Sequence, residues 1–86
     1  QFPASQRDWT VPLPPQTLVE TIFDAIEEIR SPLLEKAELL DLFIPETGGQ
    51  KNATFRFTYR DRLKTISFEE AESEHAKLLS AVSAKL

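Results

Sequence analysis

Basic side chains crowd into one short stretch of this acidic chain. The sequence carries ten Lys and Arg against fourteen Asp and Glu, a net charge of -4, yet half of the basic residues fall between residues 51 and 64. A guanidinium group can bind a phosphate through two parallel hydrogen bonds and can also stack on a planar base. The stretch therefore points to recognition of an anionic ligand. Its basic residues are Lys51, Arg56, Arg60, Arg62 and Lys64.

The sequence offers little for catalysis or metal binding. It has no cysteine, hence no disulfide and no thiolate metal site, and His75 is the lone histidine. Gly48 and Gly49 are its only glycines, so a Gly-rich phosphate loop is absent. No apolar run approaches the roughly 18 residues of a membrane span, and the first residues lack the order of a signal peptide. We expect a soluble intracellular protein with no catalytic site in this chain.

The length of 86 residues predicts one small domain covering residues 1–86, which buries only about 60 to 65% of its unfolded surface. The sequence begins with Gln1 and turns at once to a strand-like pattern. We therefore expect it to be a piece of a larger protein.

The first half of the chain reads as a strand, a helix and a second strand. Trp9, Val11 and Leu13 alternate with polar residues before two prolines, which predicts a half-buried strand. Thr17 and Glu20 have the spacing of a capping box, and Pro32 predicts that the helix ends near Arg30. An apolar run at residues 37–44 predicts the second strand. The helix's apolar stripe comprises Leu18, Ile22, Phe23, Ile26 and Ile29.

The second half reads as a strand followed by a long helix. From Ala53 to Tyr59, aromatic residues alternate with Thr and Arg, as in a strand. Ser67 and Glu70 form a second predicted capping box, ahead of apolar residues at helical spacing that include Phe68 and His75. The order βαββα predicts an α+β, ferredoxin-like split βαβ fold, with two helices on one face of an antiparallel sheet and the final strand short or missing.

This arrangement sorts side chains onto two faces of the sheet. If the aromatic set of the third strand faces the helices, the other set shares an open face at intervals of about 6.6 Å. Trp9 and Tyr59 then belong to the core, and Thr10 points to the open face. Guanidinium groups and hydroxyls on an open sheet suit recognition of splayed single-stranded RNA. The alternative is that Arg56 and Arg60 only pair with Asp8 or Glu38 on neighbouring strands and keep the sheet soluble.

Three segments resemble a known family. They are FPASQRD at residues 2–8, EKAELLDLF at residues 35–43 and KNATFRFTYRDRLKTISFEE at residues 51–70. In order and spacing they resemble the ferredoxin-fold anticodon-binding domain, which closes the β subunit of bacterial phenylalanyl-tRNA synthetase and has a relative in the single-chain mitochondrial enzyme. Family members end with a fourth strand, whereas the final AVSAKL still has a helical pattern. Either the chain is cut early or its last turn and Leu86 take that strand's place.

The resemblance implies that the sheet receives the anticodon loop of phenylalanine tRNA, far from the catalytic centre of a parent enzyme that uses ATP and Mg²⁺. The other implied partners are the remainder of the β subunit and the α subunit, with no DNA and no membrane. The implied location is the cytoplasm, or the mitochondrial matrix for an organellar enzyme. The implied RNA contacts are Asn52, Thr54, Arg56, Thr58 and Arg60 on the central strand, with Arg7, Thr10 and Lys51 nearby.

Two other functions compete with RNA binding. A small phosphatase of the acylphosphatase kind would use an arginine and an asparagine, nominally Arg7 and Asn52. The place of its phosphate loop is held by Pro14 and Pro15, and prolines donate no backbone hydrogen bond. The second alternative is a protein-interaction or ligand-sensing module of ferredoxin-like fold that does not bind RNA.

Overall fold

The computed structural model describes residues 2–86, and Gln1 of the predicted domain lies outside the described residues. Five elements follow one another in the predicted order, and the ferredoxin-like α+β class is confirmed. Both outer strands begin earlier than predicted, the first strand before its alternating apolar residues and the second before the apolar run at residues 37–44. The elements are β1 (Ser5–Leu13), α1 (Val19–Ile29), β2 (Leu34–Phe43), β3 (Lys51–Tyr59) and α2 (Phe68–Lys85).

The strands form an antiparallel sheet in the order β1-β3-β2, with β3 in the centre. β1 pairs with β3 without interruption from Ser5 opposite Tyr59 to Leu13 opposite Lys51. The pairing of β2 with β3 contains two register shifts, one between Leu34 and Lys36 and one at residues 39–41. Within residues 2–86 the sheet has three strands, and α2 continues to Lys85 where the family pattern would place a fourth.

The core lies between one face of the sheet and the two helices. The aromatic set of β3 is completely buried, as the alternation predicts. Trp9 packs on it from β1, with its ring centroid 6.1 Å from that of Phe55 and 6.3 Å from that of Phe57. The core assignment of Trp9 and Tyr59 is therefore confirmed. The helices contribute Ile22, Ala25 and Ile26 from α1, and Ala71, Leu78 and Val82 from α2.

The two predicted helix caps have different outcomes. In α2, the Ser67 hydroxyl accepts from the Glu70 amide at 3.1 Å and the Glu70 carboxylate accepts from the Ser67 amide at 3.1 Å, so this capping box is confirmed. The cap at Thr17 is wrong, because the amide of Thr17 closes a turn onto the carbonyl of Pro14. α1 therefore begins one residue later, with Leu18 at its N-cap and no side-chain cap bond.

The end of α1 is where Pro32 predicts it. The helix finishes at Ile29, and Arg30 turns the backbone into the left-handed region with φ of 55°. Two residues assigned to the apolar stripes are instead largely exposed, namely Leu18 and Phe68. Leu18 is the N-cap of α1 and Phe68 is the first residue of α2, so both precede the buried residues of their helices.

His75 is a structural residue of the core edge. Its Nδ1 lies 2.7 Å from the Tyr59 hydroxyl, and its ring meets those of Phe57 and Tyr59 edge-on. Burial lowers the pKa of His75, and burial raises the pKa of Tyr59. This pair ties the middle of α2 to the end of β3.

Candidate nucleic-acid interface

The open face of the sheet is the surface that the helices leave uncovered. On β3 it carries Asn52, Thr54, Arg56 and Thr58, whose side chains alternate with the buried aromatic set. Because β3 is central, each of these residues has a neighbour on both sides. On β1 the neighbours are Pro12, Thr10, Asp8 and Gln6, and on β2 they are Phe43, Asp41, Glu38 and Lys36.

Arg56 sits in the middle of this face and is held by Asp8. Its Nε donates to Oδ1 of Asp8 at 2.9 Å and its Nη2 donates to Oδ2 at 3.2 Å, which is a two-pronged ion pair. The hydrogen bond from Arg56 lowers the pKa of Asp8. Glu38 lies opposite Arg56 on the other flank. With 37% of its side chain exposed, the guanidinium remains accessible from the open side.

Hydroxyl and amide groups pair across the same face. The hydroxyls of Thr10 and Thr54 are 2.9 Å apart, and the Gln6 amide reaches the Thr58 hydroxyl at 3.5 Å. Thr58 is only 4% exposed, so the expectation that it is accessible on the open face is wrong. Thr10 and Asn52 are exposed, and Thr54 is half-buried.

Arg60 follows the end of β3 and is bound by the residues around it. Its Nε donates to Glu35 at 2.7 Å, and its Nη1 donates to the backbone carbonyl of Phe2. Its backbone amide donates to the carbonyl of Leu33 at 2.8 Å. Only 22% of the Arg60 side chain is exposed, so Arg60 secures the start of β2 against the end of β3.

The basic side chains of the open face are paired with carboxylates. Within residues 2–86, each of its basic side chains has a carboxylate partner: Arg56 has Asp8, Arg60 has Glu35, and Lys36 lies 3.6 Å from Glu38. Carboxylates therefore lie on the sheet beside the basic residues as well as on the helices. The alternative of cross-strand pairing is correct for Arg56 and Asp8, whereas Arg60 pairs with Glu35 and not with Asp8 or Glu38.

Two predicted contact residues do not join the open face. Arg7 lies opposite Phe57, on the helix side, where it pairs with Glu72 and its guanidinium carbon is 5.0 Å from the centre of the Phe68 ring. Lys51 lies opposite Leu13 and lines a groove between the start of α1 and β2. Each lies two residues before a core-facing residue of its strand. Because every second residue of a strand faces the same side, the alternation in the sequence already indicated that both lie on the helix side.

Four open-face residues were missed as site residues. Gln6, Glu35, Lys36 and Asp8 contact the predicted set directly. Gln6, Asp8 and Thr10 are alternate residues of β1 and face the same side of the sheet. The alternation in the sequence could therefore have identified Gln6 and Asp8. The sequence also predicts that Asp8 and Asp61 hold strand ends or loop backbone through hydrogen bonds and fix Arg7 and Arg60 in place. Asp8 holds Arg56 instead, while Asp61 accepts from the amide of Leu63 at 2.9 Å and so orders the loop.

Residues 2–86 contain no cluster of three or more His, Asp or Glu side chains arranged to hold a metal ion. Neither helix of this described range is long and apolar enough to cross a membrane.

Comparison with known proteins places these observations in a family context. The family model described as the ferredoxin-fold anticodon binding domain matches residues 1–86. The chain is 45% identical over 86 residues to a phenylalanine–tRNA ligase beta subunit from Protochlamydia amoebophila, with 98% of the chain covered, and 36% identical over 85 residues to the protein of that name from Nitratidesulfovibrio vulgaris, with 99% covered. The chain spans only 11% of the length of each of these relatives.

Proposed function

The chain belongs to the ferredoxin-fold anticodon-binding domain family, and from that membership we propose that residues 1–86 form the anticodon-binding domain of a phenylalanine–tRNA ligase beta subunit. In this proposal the open face of the sheet binds the anticodon loop of phenylalanine tRNA and so supports aminoacylation by the parent protein. The parent's α subunit and the rest of its β subunit are the protein partners.

The observation that carries the proposal is the central position of Arg56 on the one sheet face that neither helix covers. Around it lie hydroxyl and amide groups that both donate and accept hydrogen bonds, on Thr10, Thr54 and Asn52. Sequence-specific RNA recognition targets unstacked bases of loops, which present donors and acceptors on their edges. A flat face with one accessible guanidinium and several hydroxyls matches that need.

In this proposal RNA binding exchanges the partner on one edge of the Arg56 guanidinium, the edge formed by Nε and Nη2. In the free chain Asp8 occupies the hydrogen-bonding edge of the guanidinium. An RNA phosphate has the same two-oxygen geometry as the carboxylate and can take its place, while Asp8 turns into solvent. Arg56 therefore enters the complex already oriented, and Asp8 competes with the RNA for it.

The charge of the face sets the expected strength of binding. Three basic side chains, Lys36, Arg56 and Arg60, lie among the carboxylates of Asp8, Glu35, Glu38 and Asp41. Phosphate neutralisation supplies most nonspecific affinity for nucleic acids. We therefore expect weak binding by the isolated chain, with orientation and further affinity supplied by the rest of the parent protein.

ATP and Mg²⁺ belong elsewhere in the proposed parent. The described residues 2–86 hold no metal-binding cluster of carboxylates or histidine. The role proposed for this chain is to hold one part of the tRNA. In the cell it works in the cytoplasm or, for an organellar parent, in the mitochondrial matrix.

The test is a titration of the isotope-labelled chain with the anticodon stem-loop of phenylalanine tRNA at low salt, followed by NMR. We expect shifts on the Arg56 guanidinium and on the amides of Thr10 and Thr54, with affinity falling as salt rises. The matched control is a hairpin with the same stem and a scrambled loop. Shifts confined to α1 and α2 contradict the sheet-face site and favour the alternative of a protein-interaction module.

A further inference from the structure

A cavity of about 470 Å³ opens at the end of the sheet where β3 finishes and β2 begins. This is within the range of about 300 to 1,000 Å³ that holds small organic ligands. Arg60 belongs both to this cavity and to the edge of the open face, so the two surfaces are continuous. The lining residues are Pro32, Leu33, Leu34, Glu35, Arg60, Asp61, Arg62 and Leu63.

Hydrogen bonds within the chain fix the walls of the cavity. The Arg60 amide donates to the Leu33 carbonyl at 2.8 Å and its side chain donates to Glu35, which joins the two walls. Asp61 accepts from the Leu63 amide at 2.9 Å and sets the turn of the loop. The cavity is therefore formed before any ligand arrives, and little binding free energy is lost in ordering it.

The lining combines an apolar wall with a guanidinium group that is not paired within the described residues. Leu63 is 87% exposed, more than any other large apolar residue in residues 2–86, and it stands beside Leu34 and Pro32. Arg62 makes no ion pair or side-chain hydrogen bond within the described residues, unlike Arg56 and Arg60. An aliphatic surface, a guanidinium and nearby carboxylates match the apolar faces, the phosphate and the edge donors of a nucleotide.

We propose that this cavity receives one nucleotide of the bound RNA loop, turned out of the base stack. Its base lies against Leu34 and Leu63, Arg62 binds its phosphate, and the carboxylate of Asp61 accepts from its edge. The inference rests on the proposed function and adds a defined subsite to it. It also gives a function to Arg62, the one basic residue of the loop at residues 60–63 that is not paired with a carboxylate of the described range.

The test compares three variants in the titration with the anticodon stem-loop. Arg62→Ala is expected to weaken binding about tenfold and to reduce the salt slope by about 0.7, the value for one phosphate on a single strand. Leu63→Ser, which keeps the charge, is expected to weaken binding about threefold through loss of the apolar wall. Lys77→Ala removes one charge from α2 at a residue that does not line the cavity, and is expected to change affinity less than twofold.

Three outcomes overturn the subsite. If the wild-type chain binds the stem-loop and Arg62→Ala behaves as Lys77→Ala does, the cavity holds no nucleotide although the sheet face still binds RNA. If adenosine 5′-monophosphate alone shifts the cavity residues at the same concentration as the stem-loop, the cavity binds free nucleotides and not a loop. Absence of any binding by the wild-type chain removes the proposed function and the subsite together. Spectra of the free variants verify that each one folds.

Discussion

Asp8 on an edge strand and Arg56 on the central strand lie opposite each other in the sheet and share two hydrogen bonds, of 2.9 and 3.2 Å, across its open face. In the proposed complex this ion pair is a competitor of RNA. It keeps the guanidinium in one orientation, and Asp8 competes with a phosphate for the edge formed by Nε and Nη2.

Asp8→Asn is therefore expected to strengthen RNA binding, by about threefold to tenfold at low salt, because the variant removes a negative charge beside Arg56. The melting temperature should hardly move, since exposed ion pairs contribute little to stability. Fluorescence anisotropy with a labelled anticodon stem-loop measures the affinity. Asp24→Asn, on the exposed surface of α1, is the matched control for net charge. Equal gains from both variants would assign the effect to overall charge.

Arg56→Ala is expected to act on tRNA and not on amino-acid chemistry. In the full length of the proposed parent enzyme it should raise the KM for phenylalanine tRNA about tenfold, because a phosphate contact is lost, and leave phenylalanine activation unchanged. Pyrophosphate exchange and aminoacylation assays separate the two steps. Lys85→Ala, at the end of α2, serves as the control. Loss of activation in the Arg56 variant would reveal a defect of folding or assembly.

His75 makes stability depend on pH in a defined direction. Burial is the main cause that lowers its pKa from 6.5, and Arg7 adds to the effect while Glu72 and Asp8 oppose it. The unfolded chain then binds more protons than the folded chain, so the stabilisation is complete above pH 6.5 and is lost as the pH falls through the folded pKa. Melting temperatures between pH 8 and pH 5 should decline accordingly.

The control for this pH dependence is His75→Gln, whose melting temperature should be flatter over the same interval. The carboxylates with lowered pKa are Asp8 and Glu70, with ordinary values of 3.8 and 4.5. Their stabilisation is present above those values and disappears at lower pH. An equal decline in the wild type and the variant between pH 8 and pH 5 would show that His75 is not the source.

Tyr59→Phe is expected to destabilise the fold by about 1 to 3 kcal/mol, because it leaves the half-buried Nδ1 of His75 without its partner. Ring volume and the contacts with Phe57 are retained. Urea unfolding followed by circular dichroism gives the free energy. RNA affinity should stay within twofold of the wild type, since the hydroxyl lies on the helix side of the sheet. A stable variant with unchanged unfolding would show that the hydrogen bond contributes nothing.

Ser67→Ala tests the confirmed capping box at the start of α2. Loss of the hydroxyl removes the acceptor for the Glu70 amide, and such changes cost about 1 kcal/mol. Ser80→Ala, at an exposed position inside the same helix, should be neutral or slightly stabilising because Ala is the better helix former. Chemical unfolding of both variants checks the difference. Equal stability of the two variants contradicts a contribution from the cap.

The sequence predicted which side chains of β3 face the helices because alternation is a local property of a strand. The partner of each basic residue was harder to predict, since it depends on the register between distant strands. The irregular pairing between Leu34 and Lys36 accompanies the contact of Glu35 with Arg60, and no local pattern encodes it. The cap at Thr17 failed for another reason: the turn at Pro14 uses the amide that a capping box would need to leave free.

The two margins of the sheet differ in a way that bears on handling the protein at high concentration. β2 is irregular at two places, and such irregularities interrupt a regular row of backbone donors and acceptors. β1 is straight in register over nine residues, with Pro12 as its only position lacking an amide hydrogen. We expect intermolecular strand addition to start along β1, so a lysine or a second proline introduced there is the rational way to delay fibril or gel formation in a concentrated sample.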